Sequence, residues 1–279
     1  HQNCPAMPES DPDDLRDVFL FAMIDEYLKT CNHAPSTAVT SASGQATKLS
    51  DAEVLFVFVV ACASHGGNGQ EAQRSQRRCG NRDACRVKAK LSRSQFNRRL
   101  WALEHRLVEL LGLLASLAKA ENQEFALDSF PWPVCKNVRI QRFRLMRGAE
   151  FRGCNASKRE YFYGYKVHLM TAQDGRVVEF DLPPGSRVFA DKAYNAYAAE
   201  DELLGDGNVD FQPVRKRNSK RADNTYCTNW VRKHERRHIE TDISQLLARV
   251  PKRLHAVTAK GFMLKMMGFI LAHNLLWLF

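Results

Sequence analysis

Apolar residues at 15, 18, 19, 22 and 23 line one face of a helix over residues 14–28. A polar stretch rich in Ser, Thr, Ala and Gly (35–47) separates it from two marked helix starts. Ser50-Asp-Ala-Glu53 and Ser92-Arg-Ser-Gln95 both fit the capping box, in which the Ser side chain and the third helical residue satisfy orphan amides reciprocally. Leu49 and Leu91 precede them, placed to staple onto Val54 and Phe96. The helices that follow are expected to run to about residues 64 and 119, the second burying Leu107, Leu110, Leu111, Leu114 and Leu117. Between them, residues 65–90 read as a Gly-, Arg- and Gln-rich loop. Residues 1–120 are therefore expected to be all-helical.

The pattern changes near residue 121. Short apolar or alternating runs at 124–130, 161–170, 177–180, 187–190 and 209–214 predict strands, and Asp174-Gly175 is a hairpin turn signal. Helical patterns cover 196–204, 229–250 and 260–278. The order β-β-β-β-α-β-α-α implies an α/β domain over residues 121–279, a mixed sheet flanked by helices. The last apolar stretch, 266–279, is shorter than the roughly 20 residues of a membrane span and reads as a buried C-terminal helix.

Charge narrows the partners. The formal net charge is +10, which favours a polyanion, nucleic acid first. From Arg74 to Arg106 there are eleven Lys or Arg against two acids, a run that abuts the capped helix carrying Arg93, Arg98 and Arg99. Residues 94–99 are thus expected to open a helix approaching a DNA groove, as in a helix-turn-helix. The acidic N-terminus shows no secretory signal, which points to the cytoplasm. The eight cysteines include no close C-x-x-C pair; Cys79 and Cys85 are the nearest two, and reduced thiols are expected.

Two apolar runs each deliver one aspartate to a strand end: Phe125-Ala-Leu-Asp128 and Arg187-Val-Phe-Ala-Asp191. Glu240 follows in a helical pattern, beside the apolar positions Ile239, Ile243 and Leu246. Three converging acids repel one another unless cations neutralise them. Mg²⁺ or Mn²⁺ suits such an all-oxygen set, and a pair of ions can activate one oxygen and stabilise another. On a basic chain the matching substrate is a phosphodiester.

These residues resemble a family. Asp-Ser-Phe-Pro (128–131), Val-Cys-Lys-Asn (134–137), Phe-Arg-Gly (151–153), Tyr-Gly-Tyr-Lys-Val-His (163–168), Asp-Lys-Ala-Tyr (191–194) and Arg-x-Ile-Glu (237–240) look like the DDE transposases of bacterial insertion sequences. The resemblance implies a ribonuclease-H-like fold, with Asp128, Asp191 and Glu240 as ligands of two Mg²⁺ or Mn²⁺ ions. It implies cleavage at terminal inverted repeats, then attack of the freed 3′-OH on target DNA, by a homodimer in the synaptic complex. Lys192, Tyr194, Arg236 and Arg237 would contact DNA or support the site. Further candidate DNA contacts are Lys136, Arg139, Arg142 and Lys158, and then Lys166, Arg215, Lys216 and Arg217.

Two departures stand out. Where relatives carry a Lys or Arg two turns after the glutamate, this chain has Leu247, with Arg249 the nearest substitute. Only Asp181-Leu-Pro-Pro-Gly-Ser186 lies before the Asp191 strand, a span of at most about 22 Å with no room for the family's usual helix. Chain is therefore expected to be missing near Phe180–Asp181. Two rival readings remain. One is a non-catalytic or decayed nucleic-acid-binding protein. The other is a zinc protease using His234-Glu235-x-x-His238, a motif without a clear third ligand.

Overall fold

A strand of 13 residues, β1 (Glu124–Lys136), is the axis of the second half of the chain. The computed structural model describes residues 12–32, 48–78, 87, 89–136, 140–141, 145–146, 148–155, 159–221, 226–251 and 254–279. Two compact units emerge, His1–Arg106 with Phe279, and Leu107–Leu278.

The first unit contains α1 (Pro12–Asn32), α2 (Asp51–Ser64), α3 (Gly69–Arg78) and α4 (Arg93–Ala102). Both expected capping boxes form: Ser50 and Glu53 bond reciprocally at 2.6 and 3.1 Å, and Ser92 and Gln95 at 3.1 and 3.3 Å. The first matters most, because α2 carries the β-branched and aromatic run Val54-Leu-Phe-Val-Phe-Val-Val60, which by propensity alone would suit a strand. The cap sets the helical start, and burial on nearly every side removes the need for a polar face.

The stretch read as a loop holds α3. A four-residue turn, 65–68, joins α2 to α3 at a bend of 105°. Gly66 and Gly67 take positive φ (55° and 76°), which a side chain would resist. Buried Gln73 fixes α3 by accepting the Leu91 amide at 2.8 Å, and Gln76 donates to Asp17 at 2.7 Å. Cys79 and Cys85 lie outside the described residues. The single helix expected over 93–119 is interrupted at Leu103; α5 (Glu104–Glu121) follows it and straddles the boundary between units. On α5, Leu107, Leu110, Leu114 and Ala118 are buried, whereas Leu117 is exposed because it falls beside the stripe set by the 3.6-residue period.

In the second unit, β1 pairs antiparallel along its whole length with β3 (Glu160–Ala172). Beyond β3 lie β2 (Arg152–Asn155) and the two-residue β4 (Val177–Val178). On the other side, β1 pairs in parallel with β5 (Arg187–Ala190), and β5 with β6 (Asp210–Pro213), after α6 (Tyr197–Gly207). The β1–β5 pairing covers only Glu124–Leu127 against Arg187–Ala190. Past that point no described strand pairs with β1 on the β5 side, so Pro131 and Pro133 cost no ladder bond there. Gly164 lies so close to β1 that a Cβ would come within 2.3 Å of the Trp132 carbonyl oxygen.

Ala115 and Ala118 of α5 pack with Phe125, Leu127, Met170 and Val188 in the core. α7 (Tyr226–Glu235), α8 (Arg237–Arg249) and α9 (Ala259–Leu276) complete the unit. The apolar end of the chain is largely buried α9, as expected. The result is a mixed sheet flanked by helices, compatible with a ribonuclease-H-like domain.

Residues 179–186 lead from β4 to β5 without a helix, turning through Pro183–Ser186, with the Gly185 amide on the Asn208 carbonyl at 2.8 Å. β4 is short and pairs with β3 opposite Met170 and Thr171. The return to Arg187 is therefore brief.

Candidate functional site

The site begins where the β1–β5 pairing stops. Leu127 faces Ala190 as the last parallel pair, so Asp128 and Asp191 leave adjacent strands side by side. Buried Phe125, Leu127, Val188 and Ala190 anchor the strands, while the residues beyond them face the open edge. Asp191 opens a short 3₁₀ turn, Lys192–Tyr194, whose Tyr194 amide bonds the Asp191 carbonyl at 2.9 Å. Asn195 pins that turn to the end of β6 through the Val214 carbonyl at 2.8 Å.

Glu240 comes from α8. The helix expected over 229–250 is broken at Arg236, between α7 and α8. Ile239, Ile243 and Leu246 are buried and orient α8, leaving Glu240 exposed on its other face. Arg236 joins the acids: its Nη2 donates to Asp128 Oδ2 at 2.9 Å and to Glu240 Oε1 at 3.0 Å. Two carboxylates thus face each other across one guanidinium nitrogen. Burial works against the charge on Arg236, but the bond to Asp128 and the fields of Asp128, Asp191 and Glu240 raise its pKa. Asp128 and Glu240 thus bond Arg236, and Asp191 acts on it through its field alone.

Residues that sequence reasoning passed over complete the surroundings. His168 Nδ1 and the Tyr194 hydroxyl are 2.7 Å apart, their rings edge to face. Ser129, opposite His168 in the β1–β3 register, also bonds Tyr194. Burial, followed by the negative fields of Asp128 and Asp191, raises the Tyr194 pKa. The signal for this cluster was the period-two placement of His168 within Tyr-Gly-Tyr-Lys-Val-His. Its partner Ser129 becomes visible only through strand register.

The basic candidates divide. Lys166, Lys192, Lys216, Arg217 and Arg237 are exposed. Arg215 is turned inward, paired with the buried Glu200 of α6 at 2.7 Å. Arg249 turns to the Gln245 carbonyl and His273, so it does not replace the missing basic residue after Glu240. Arg93 and Arg98 are exposed on α4, while Arg99 bonds the Leu49 carbonyl and Asp51 at the start of α2. Arg139, Arg142, Lys158 and the side chain of Lys136 lie outside the described residues.

Among the described residues, no three His, Cys, Asp or Glu side chains gather closely enough to hold an ion together. At Asp128 and Glu240 a guanidinium stands in the cation's place instead. An all-oxygen set arranged around one positive charge fits a hard divalent ion. The zinc-protease geometry is absent among the described residues: His234 lies in the last turn of α7, stacked on Trp230, and His238 lies in α8 beyond the break. Nor is any single described helix long and apolar enough to cross a membrane.

Comparison with known proteins agrees with this geometry. A family model described as a transposase DDE domain matches residues 118–255, the stretch that holds Asp128, Asp191 and Glu240. No curated protein and no solved structure matches the chain. Residues 118–255 are thus a transposase DDE domain.

Proposed function

We propose that this transposase binds the terminal inverted repeats of an insertion sequence, cleaves phosphodiesters there and joins the freed 3′-OH ends to target DNA. Asp128, Asp191 and Glu240 would hold two Mg²⁺ or Mn²⁺ ions. The observation that carries the reading is the pairing of Asp128 and Asp191 at the end of the β1–β5 ladder, with Glu240 facing them across Arg236. When bound, divalent ions would supply Lewis-acid activation of the attacking oxygen and charge stabilisation of the leaving one. The chain's own residues do the rest. β1 and β5 hold the two aspartates on rigid strands. Tyr194, Ser129 and His168 brace the turn that carries Asp191. Lys166, Lys192 and Arg237 are exposed and can meet phosphates.

The first unit is the proposed repeat reader. α2 and α3 meet at 105° across a four-residue glycine turn, the geometry of a helix-turn-helix. On this reading α3 joins the expected α4 as a candidate groove-entering helix. Its Gln73 and Gln76 are buried as anchors, and Arg74 and Arg77 are exposed on the other side. Synapsis of two ends calls for a homodimer.

The test is Mn²⁺-dependent nicking of terminal-repeat DNA by the full chain, compared with Asp128→Ala, Asp191→Ala and Glu240→Ala. Loss of nicking with retained DNA binding is expected in all three. Nicking that survives Asp191→Ala overturns the proposal. DNA binding without nicking by the wild type favours the non-catalytic alternative.

A further inference from the structure

Two carboxylates facing each other, with a third nearby, are unfavourable without a countercharge, and in this structure Arg236 supplies it. We infer that Arg236 is an exchangeable counter-ion. It holds Asp128 and Glu240 in the DNA-free chain and passes to a DNA phosphate when the duplex docks, so that divalent-cation binding and DNA binding are coupled. The inference rests on the proposed metal-dependent function.

Four observations support it. Both carboxylates bond the same nitrogen, Nη2, so a single side-chain rotation frees both. The Nε of Arg236 is buried and has no hydrogen-bond partner, leaving the guanidinium incompletely satisfied. A phosphate can accept two parallel bonds from the guanidinium fork, which the present split arrangement does not use. Arg236 is also the one residue separating α7 from α8, and its amide reaches the Arg232 carbonyl at a long 3.3 Å. It is thus held by a weak backbone link, next to exposed Arg237.

Competition follows from charge. A divalent ion bound by the carboxylate oxygens that Arg236 now occupies would sit against a fixed positive charge. Arg236 therefore lowers cation affinity until another anion takes it. By linkage the effect is reciprocal: DNA that takes Arg236 tightens cation binding, and the cation tightens DNA binding by the same factor. Couplings of this kind are commonly about 5- to 150-fold. Without DNA, Asp128 and Glu240 stay neutralised by the chain itself, which disfavours cleavage chemistry before a substrate is in place.

The experiment measures Mn²⁺ binding to the full chain by paramagnetic resonance of the free ion. It is run with and without a short duplex, and ion binding by the duplex alone is subtracted. In the wild type, DNA is expected to tighten Mn²⁺ binding about tenfold. In Arg236→Gln, Mn²⁺ should bind about tenfold more tightly without DNA, and the DNA effect should shrink to less than about twofold. Arg236→Lys, which keeps charge but loses the fork, should fall between, and it decides the matter if the glutamine variant does not fold. If Arg236→Gln binds Mn²⁺ no more tightly than wild type without DNA, or keeps the full DNA effect, the inference is overturned. Asp191→Ala separates the two levels of argument. Normal Mn²⁺ binding in that variant removes the metal reading itself, whatever Arg236 does.

Discussion

Arg176 and Arg236 each hold two carboxylates in the second unit, yet their surroundings differ. Arg176, in the turn between β3 and β4, is almost fully buried. Its Nη2 bonds Glu121 and, at 2.6 Å, Asp174; its Nε bonds Asp174 at 3.0 Å. Its guanidinium also lies 4.1 Å over the Trp277 ring, and Asn122 adds a 2.7 Å bond to Asp174. Arg236 uses one nitrogen for two acids, has its Nε unpartnered, and meets a third acid through its field alone. The first arrangement is multiply satisfied and ties the hairpin turn to α5 and α9. The second is partly satisfied and lies at the open end of the strands. Equal chemistry serves rigidity where every group is paired and exchange where some are not.

The comparison can be broken at either end. The largest effect is expected from Asp191→Ala. Nicking should fall roughly 10³-fold or more, about 4 kcal/mol of transition-state stabilisation, with the melting temperature unchanged within error. A parallel collapse of stability would place Asp191 among structural residues instead.

Arg176→Met should do the reverse. Leaving Asp174 without its partner is expected to cost about 3 kcal/mol, or roughly 10 °C in the melting temperature of this unit. Nicking per folded molecule should be retained. Unchanged thermal stability would show that the knot is ornamental.

A smaller effect is expected from pH. Burial disfavours the charged form of Asp174, but bonds from the Arg176 side chain and backbone and from Asn122 outweigh it, and its pKa lies below the usual value of 3.8. The unfolded chain binds the proton more readily. This contribution to stability is therefore full above about pH 4 and is lost as pH falls through the depressed folded value. Denaturant titrations between pH 5 and pH 2 should show that acid loss in the wild type and a weaker one in Arg176→Met. Identical slopes would assign the loss to other groups.

Arg236→Gln should have the smallest effect on stability, under about 1 kcal/mol, because its acids are part-exposed and regain water. A cost as large as that of Arg176→Met would make Arg236 a second structural clamp and erase the contrast.

Much of the fold was legible locally. Both capping boxes formed where Ser50 and Ser92 indicated, since a cap is a contact across three residues of one chain segment. The Asp174-Gly175 turn formed as well, with Gly175 at φ 94°. Two long helices were each read through a break, at Leu103 and at Arg236. Apolar periodicity continues across a kink, and propensity does not register a change of axis. β4 proves shorter than the run 177–180 predicted, since strand length depends on whether β3 offers a partner.

For the site, the sequence by itself determined which acids end apolar runs: Asp128 and Asp191 beyond buried strand residues, and Glu240 beside a buried helical stripe. Alternation and period are properties of the chain, so these placements needed no partner. Only the tertiary structure decided that the parallel ladder stops at Leu127 and Ala190, bringing the two aspartates together. It also decided that the α7–α8 break aims Arg236 between Asp128 and Glu240, and that His168 meets Tyr194 and Ser129. Apart from the Arg236–Glu240 pair on neighbouring turns, those contacts join residues 26 to 108 positions apart, where register and packing, rather than local pattern, determine which side chains meet.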